Sequence, residues 1–303
     1  MKPSLLILAA GLGSRYGSLK QIDQFGPSGE TIIDYSIYDA IKAGFKKVVF
    51  VIRKNIESEF KDVFVDKFSE KIEIDYALQE IESVPQGVQF SKFRKKPWGT
   101  GHAVLVAANR INEPFAVVNA DDFYGAHSFQ LIYNYLNSQC LENLVCGLVG
   151  FKLTNTISEF GAVSRGICEY KNGRLQSIIE RTKIYKKDDA IVFEDENGQI
   201  CELAKGAIVS MNLMGFTPAI FAFLEQRFKV FANKNKDNLE AEFFLPNVVN
   251  DLAVAKLARV SLLPSSEKWF GVTYQQDKPV AKRKLGELIT AGIYPENLWA
   301  AKS

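Results

Sequence analysis

A doubly wound α/β fold on a mostly parallel, mixed sheet is predicted by three observations. The apolar run Leu5–Ala10 stops at a glycine-rich turn, as a buried parallel strand does. Strand-like and helix-like segments then alternate over about the first 150 residues, which implies right-handed crossovers. Beyond that point the pattern changes to short strands separated by turns, which reads as antiparallel hairpins added to the main sheet.

Taken in order, 31–43 carries apolar residues at Ile33, Ile37, Ala40 and Ile41, a helical spacing that Gly44 ends. Val48–Ile52 is a second buried strand, 56–68 is helical and Ile72–Ala77 is a third strand. A helix starts at Gly101, a strand covers Phe115–Asn119, a helix covers 128–138, and 145–151 is apolar and strand-like. Short strands are expected at 161–164, 167–170, 175–179, 191–194 and 200–203, separated by turns such as Lys171-Asn172-Gly173. A core strand over 208–216, a helix over 219–231, a helix over 242–252 interrupted near Pro246, a strand over 259–263 and an amphipathic helix over 279–291 complete the chain. Residues 1–275 are expected to form one elaborated domain, with a nucleotide-binding half (1–125) and a second half (126–275). Residues 276–303 are expected to be a helical extension.

Composition narrows the function. The 303 residues are 47% hydrophobic and 24% charged, and the net charge of +2 favours neither nucleic acid nor membrane as a partner. Leu5–Ala10 is too short to span a bilayer and lacks the features of a signal peptide, so the cytoplasm is expected. The four cysteines have neither CxxC spacing nor a framework pattern and read as reduced, mostly buried thiols. Two histidines cannot make a His-rich metal site.

The richest stretch is Leu8-Ala9-Ala10-Gly11-Leu12-Gly13-Ser14-Arg15-Tyr16-Gly17-Ser18-Leu19-Lys20. A glycine-rich turn after a first parallel strand lets backbone N–H groups approach phosphates. It is not a P-loop, because no Gly-Lys-[Ser/Thr] follows at the required spacing. A dinucleotide fold is disfavoured, since the second strand runs into Arg53 and Lys54 rather than an acid for a ribose. Arg15 and Lys20 can neutralise a triphosphate and its pyrophosphate leaving group. The apolar strand Val117-Val118-Asn119-Ala120 ends in Asp121-Asp122, where carboxylates beside a triphosphate can hold Mg²⁺.

The segment 8–20 resembles the signature of the sugar-phosphate nucleotidyltransferases: an apolar strand, Ala-Gly-x-Gly-[Ser/Thr]-Arg, then a lysine. Leu19 stands where many members have proline. The resemblance implies a Rossmann-like, GT-A-like nucleotidyltransferase fold. It also implies phosphate contacts by Ala10, Gly11, Gly13 and Ser14, activation of the leaving group by Arg15, and a contact from Lys20 to the attacked phosphate. Gln79 resembles the base-contacting position. Trp98-Gly99-Thr100-Gly101 resembles the Gly-Thr-Ala-x-Ala element, with Gly99 against the base and Thr100 capping a helix. The basic stretch Lys92, Arg94, Lys95 and Lys96 is expected to form a flap over the site. By the same resemblance Asp121 is the metal ligand, Gly161 lies against the sugar, and Glu180 binds its hydroxyls. Arg181 or Lys183 takes its phosphate, and Asn212 closes the pocket. Many members carry a second metal-binding aspartate in a Trp-x-Asp-x-Gly-Thr element; here Trp269-Phe270-Gly271 puts glycine there, with Asp277 or Glu267 as possible substitutes.

The resemblance implies a Mg²⁺-dependent enzyme that joins an NTP, with UTP or dTTP favoured, to a sugar 1-phosphate by in-line attack on the α-phosphorus. Two alternatives stand beside it: cytidylyl transfer to a non-sugar phosphate such as phosphocholine, and a catalytically inactive nucleotide-sugar-binding regulatory protein. The aromatic segment Phe221–Phe231 is expected to suit a contact in a homo-oligomer.

Overall fold

The computed structural model describes residues 1–11, 23–141, 143–158, 161–195, 197–271 and 277–300. The expected positions Gly13, Ser14, Arg15 and Lys20 lie outside the described residues.

Among the described residues, eleven strands make one sheet. Its parallel heart is β1 (Ser4–Leu8), β2 (Lys47–Ile52), β3 (Glu73–Leu78) and β4 (Phe115–Asn119), in the order β3-β2-β1-β4. β5 (Asp122–Phe123) lies off this sheet and pairs only with β13 (Phe270–Gly271). Beyond β4 the sheet continues through β11 (Ile208–Phe216), β6 (Val145–Lys152) and β12 (Arg259–Ser265). β11 runs antiparallel to both its neighbours, and β12 is parallel to β6. The hairpin strands β7 (Val163–Lys171), β8 (Arg174–Lys187), β9 (Ala190–Glu194) and β10 (Ile200–Leu203) extend it in antiparallel pairing. This is the mixed α/β architecture with added hairpins that the sequence predicts, with parallel pairing confined to β3-β2-β1-β4 and to β6 with β12 and antiparallel pairing elsewhere. One expected break is absent, and one strand is longer than expected. The gap expected between 164 and 167 is closed by the single strand β7, which starts at Val163, and β8 is one 14-residue strand, because each pairs continuously with the other across small bulges.

The helices cover the sheet with apolar stripes. Helix α1 (Ile32–Ala43) starts at Thr31, whose side chain and that of Asp34 form a capping box, and ends at Gly44 in the left-handed region (φ 113°). Residues 54–68 form one helical passage with a π turn in the middle, which aligns Phe60, Phe64 and Phe68 against Phe50. Helices α2 (Thr100–Leu105), α3 (Ala126–Asn137), α4 (Ile220–Lys234), α5 (Leu245–Val254) and α6 (Asp277–Thr290) follow. Pro246 does not interrupt α5; it occupies the first turn, where a missing N–H costs nothing. The aromatics of Phe221–Phe231 are not exposed. Phe228 is fully buried, and Phe221 stacks on Phe115 with ring centroids 5.1 Å apart. Cys146 and Cys168 are buried thiols, as expected, while Cys140 is exposed. No helix among the described residues is long and apolar enough to cross a membrane.

The last residues have a structural task that the sequence did not reveal. Tyr294 Oη donates to buried Asp39 Oδ2 (2.8 Å), Trp299 Nε1 donates to Asp34 Oδ1 (2.7 Å), and Leu298 N donates to Glu30 Oε1 (3.2 Å). With Phe25, Tyr35, Phe123, Phe270 and Leu285 they close a third core cluster over α1. The chain terminus therefore holds the segment that follows the glycine-rich loop.

Gly44 combines a left-handed backbone with a neighbour in the way: an added Cβ would lie 2.8 Å from the Tyr133 ring. Gly44→Ala should lower stability by about 2 kcal/mol, read as a lower midpoint in urea denaturation. An unchanged midpoint would show that the turn tolerates a side chain.

Candidate active site

Register brings the expected nucleotide residues to one rim. Leu8 of β1 pairs with Val51 of β2 and Asn119 of β4, while Ile52 pairs with Leu78 of β3. The ladder continues one residue past each strand: Ala9 N donates to Val51 O (2.9 Å), Ala120 N to Leu8 O (3.2 Å), and Gln79 N to Ile52 O (2.8 Å). Ala10, Gly11, Gln79, Asp121 and Asp122 thus follow directly beyond the carboxyl ends of adjacent parallel strands, where ligands bind in open α/β sheets.

The Gln79 amide is oriented by a buried chain of hydrogen bonds. His102 has no exposed surface, and its Nε2 lies 2.7 Å from Ser83 O. A carbonyl can only accept, so Nε2 carries the proton. Burial pushes His102 down to about 4, so it is neutral at pH 7 and Nδ1 is an acceptor. Gln79 Nε2 meets that acceptor at 3.3 Å and Gly99 O at 3.0 Å, which occupies both amide hydrogens and leaves Oε1 as the group Gln79 can offer. The tight approach needs the glycines: a Cβ on Gly99 would lie 2.9 Å from Phe243 O, and one on Gly101 2.7 Å from the Phe243 ring. Thr100 is not the helix cap. Gly99 holds that position, and Thr100 Oγ1 instead accepts from Leu245 N (2.9 Å) at the start of α5.

In the basic stretch Lys92 and Lys95 are exposed, but Arg94 and Lys96 are engaged by the protein. Arg94 is 5% exposed, stacks on Trp98 with its Cζ 3.6 Å from a ring centroid, and donates to Asn238 O and Ala241 O. Lys96 pairs with Glu242 (3.0 Å) and Glu240 (3.5 Å). These side chains tie the stretch to the loop before α5.

At the end of β4, Asp122 is buried and accepts from Asn119 Nδ2 (2.9 Å) and Tyr124 Oη (3.2 Å). Burial, then the charge of Asp121, pushes its carboxyl up to about 7. Gly271 of β13 pairs directly with Asp122, and a Cβ on Gly271 would come 2.6 Å from Asp122 Oδ1. Where the Trp-x-Asp pattern would place an aspartate side chain, the Asp122 carboxylate already lies against the Gly271 backbone. Glu267 Oε1 accepts from His127 N (3.0 Å) at the start of α3, and Asp277 Oδ1 accepts from Ser158 Oγ (3.0 Å). Among the described residues no group of three or more His, Cys, Asp or Glu is arranged around one point.

Most of the residues expected on the sugar side lie on β7, β8 and β11. Gly166 pairs with both Glu180 and Ser210, and the Glu180 carboxylate lies beside the Gly166 Cα. Asn212 sits in a bulge of β11 with φ 65°, two residues before Met214, which pairs with Val117. It is therefore level with the end of β4, and bulged left-handed residues of this kind concentrate at functional sites. Gly161 lines a groove with Tyr185, Lys186 and Lys268. Arg181 stacks over Phe193, and Lys183 pairs with Glu194 (2.7 Å), so both are engaged with β9. Sequence reasoning missed Arg165. It sits inside β7, 7% exposed, where the alternation Val163-x-Arg165-x-Ile167 puts an arginine at an inward position. Burial lowers its pKa to about 10, partly offset by Asp122, Glu180 and Asp277.

With this geometry in view, the comparisons identify the class. The model of the nucleotidyl transferase family matches residues 4–259, and the chain belongs to that family. Among individual proteins, it is 31% identical over 145 residues to the bifunctional protein GlmU of Methanococcus maripaludis, covering 46% of this chain and 29% of that one. It is 30% identical over 131 residues to the UTP–glucose-1-phosphate uridylyltransferase YngB of Bacillus subtilis, covering 39% of this chain and 42% of that one. The chain thus spans less than half the length of these relatives. In fold it is similar to a UDP-glucose pyrophosphorylase complexed with UDP-glucose (TM-score 0.61, 17% identity, 95% of this chain and 99% of that one). It is also similar to the inositol-1-phosphate CTP transferase of T. maritima (TM-score 0.57, 12% identity, 94% and 97%).

His102 makes stability depend on pH. Its pKa is about 4 folded and near the ordinary 6.5 unfolded, so the unfolded chain binds more protons between those values. Stability should fall as pH drops from 6.5 to 4, and His102→Gln should flatten that part of the profile in urea titrations. An equally steep profile in the variant would place the titrating group elsewhere.

Proposed function

We propose that this chain couples an NTP to a sugar 1-phosphate, giving a nucleotide-sugar and pyrophosphate. The observation that carries the reading is the shared rim: loop, base contact and carboxylate pair follow β1, β3 and β4 at one level. Family membership and the partial similarity to GlmU and YngB support it. An oxygen of the acceptor phosphate attacks the α-phosphorus in line, a new P–O bond forms, and the bond to pyrophosphate breaks. A phosphate monoester is already nucleophilic, so positioning and charge neutralisation suffice without a general base. Backbone at Ala10, Gly11, Gly13 and Ser14 cradles the phosphates, Arg15 stabilises the leaving group, and Lys20 holds the α-phosphate.

The carboxylates fit a hard divalent cation, because Asp121 and Asp122 put two adjacent oxygen-donor groups beyond the end of β4 and the charge of each disfavours that of the other. Asp121 and Asp122 would hold Mg²⁺, which would neutralise the triphosphate. Asp122 thereby takes the place of the missing aspartate from the opposite strand, in preference to Asp277 or Glu267.

Base preference follows from Gln79. With both amide hydrogens directed to Gly99 O and His102 Nδ1, Oε1 accepts from a base. Uracil and thymine present an imide N–H there, whereas cytosine presents a lone pair, so UTP or dTTP is preferred. Glu180 and Asn212 contact the sugar hydroxyls.

Pyrophosphate release, with four NTPs crossed against a panel of hexose 1-phosphates and phosphocholine, tests this reading. Turnover should be at least about tenfold higher with UTP or dTTP than with CTP, and Gln79→Ala should shrink that ratio. Lys20→Ala should cost about a hundredfold or more in turnover with the fold intact. A preference for CTP would overturn the reading of Gln79; no pyrophosphate with any pair would overturn the activity.

A further inference from the structure

Between β7, β13 and α6 lies a cavity of about 30 Å³ lined by Arg165, Trp269, Ser158, Asp277 and Lys284 among others. It shares Ile157, Ser158 and Lys284 with the groove of about 700 Å³ that also carries Gly161, Lys186 and Lys268. Two donors lining the cavity have no hydrogen-bond partner. They are Nε of Arg165 and Nε1 of Trp269, and each residue is only 7% exposed. The guanidinium stacks on the indole at 4.7 Å, so the two N–H groups come from one stacked pair. The other nitrogens of Arg165 are committed: Nη1 donates to Ser164 O (2.7 Å) and Nη2 to Thr156 O. These neutral carbonyls fix the group without neutralising it. Among the described residues no carboxylate forms an ion pair with Arg165, although Asp122, Glu180 and Asp277 act on it from farther away.

A buried cation without a counter-ion and a buried unpaired N–H are each costly, and both costs fall on one small cavity. A ligand that removes them is an acceptor bearing negative charge. Among the described residues, the connected groove adds Lys186, Lys268 and Lys284 to Arg165, against one lining carboxylate, that of Asp277, which accepts from Ser158 Oγ. Its position matters as well. Arg165 adjoins Gly166, which pairs with Glu180 and Ser210, and Asp122 is the carboxylate that acts on it most strongly. It stands between the rim carboxylates and the acceptor strands.

We propose that Arg165 Nε and Trp269 Nε1 form an oxyanion site for the acceptor substrate, binding a phosphate or carboxylate group of the molecule that receives the nucleotide. The inference rests on the nucleotidyl-transfer reading. It gives Arg165 the anion-binding task for which Arg181 and Lys183, engaged with β9, are poorly placed.

The test compares wild type, Arg165→Gln and Arg165→Lys by calorimetric titration with glucose 1-phosphate and glucuronic acid 1-phosphate. Steady-state kinetics of pyrophosphate release run alongside, and thermal melts identify any variant that fails to fold. Arg165→Gln should weaken the acceptor by about tenfold or more while the KM for the NTP stays within about twofold, and Arg165→Lys should recover part of the loss. Equal losses for both ligands identify the phosphate as the bound group; a loss confined to the glucuronic acid derivative identifies the carboxylate. Unchanged acceptor affinity in a folded Arg165→Gln, with wild-type pyrophosphate release intact, overturns this inference alone. Absence of acceptor binding and of pyrophosphate release in the wild type overturns the activity, and this site with it.

Discussion

Parallel pairing fixes where a chain can turn, and the site depends on that constraint. β1 is hydrogen-bonded between β2 and β4, so Leu8 stands beside Val51 and Asn119, and no neighbour can slip by one residue without turning every side chain to the opposite face. The strands are buried on both faces, with Leu5, Leu6, Val48, Val49, Val117 and Val118 inaccessible to solvent. A shift by one residue would exchange the two apolar clusters that α1 and α3 cover on one side and α4 and α5 cover on the other. The same register sets Ala10, Gly11, Gln79 and the aspartate pair at one height. Burial thus does the positioning, and polar groups at the rim need only local hydrogen bonds to be aimed.

Local aiming follows a common pattern across the site: a neutral or backbone partner fixes a group whose remaining valence faces a ligand. Ser83 O fixes the His102 tautomer, which fixes the Gln79 amide. Asn119 and Tyr124 hold Asp122 Oδ2, leaving Oδ1 against Gly271. Ser164 and Thr156 carbonyls hold Arg165 and leave Nε unpaired. Burial raises the Asp122 carboxyl and lowers the Arg165 guanidinium, so both charges are less stable than in water. The proposed phosphate-rich substrate and divalent cation would supply the opposite charge to each.

The terminal segment shows a different use of burial. Asp39 lies in the apolar third cluster, and burial raises its carboxyl well above the usual range while Tyr294 donates to it. Together with the Trp299–Asp34 and Leu298–Glu30 bonds, this joins the end of the chain to the residues after the glycine-rich loop.

Much of this was legible in the chain itself. Apolar runs ending in Gly11 and Asp121, the helical spacing before Gly44 and the turns in the hairpin section determined strand, helix and the α/β class, because each depends on periodicity and on local backbone chemistry. The order of motifs pointed to the family. What only tertiary structure decided were contacts between residues far apart in sequence. Thr100 bonds to Leu245 rather than capping its own helix, Arg94 is buried against Trp98 and the loop near Asn238, and Asp122 meets Gly271 across β5 and β13. Arg165 was hidden for the same reason. A lone arginine in a strand is uninformative until the strand's partners show that its neighbours exclude water and leave one nitrogen without an acceptor.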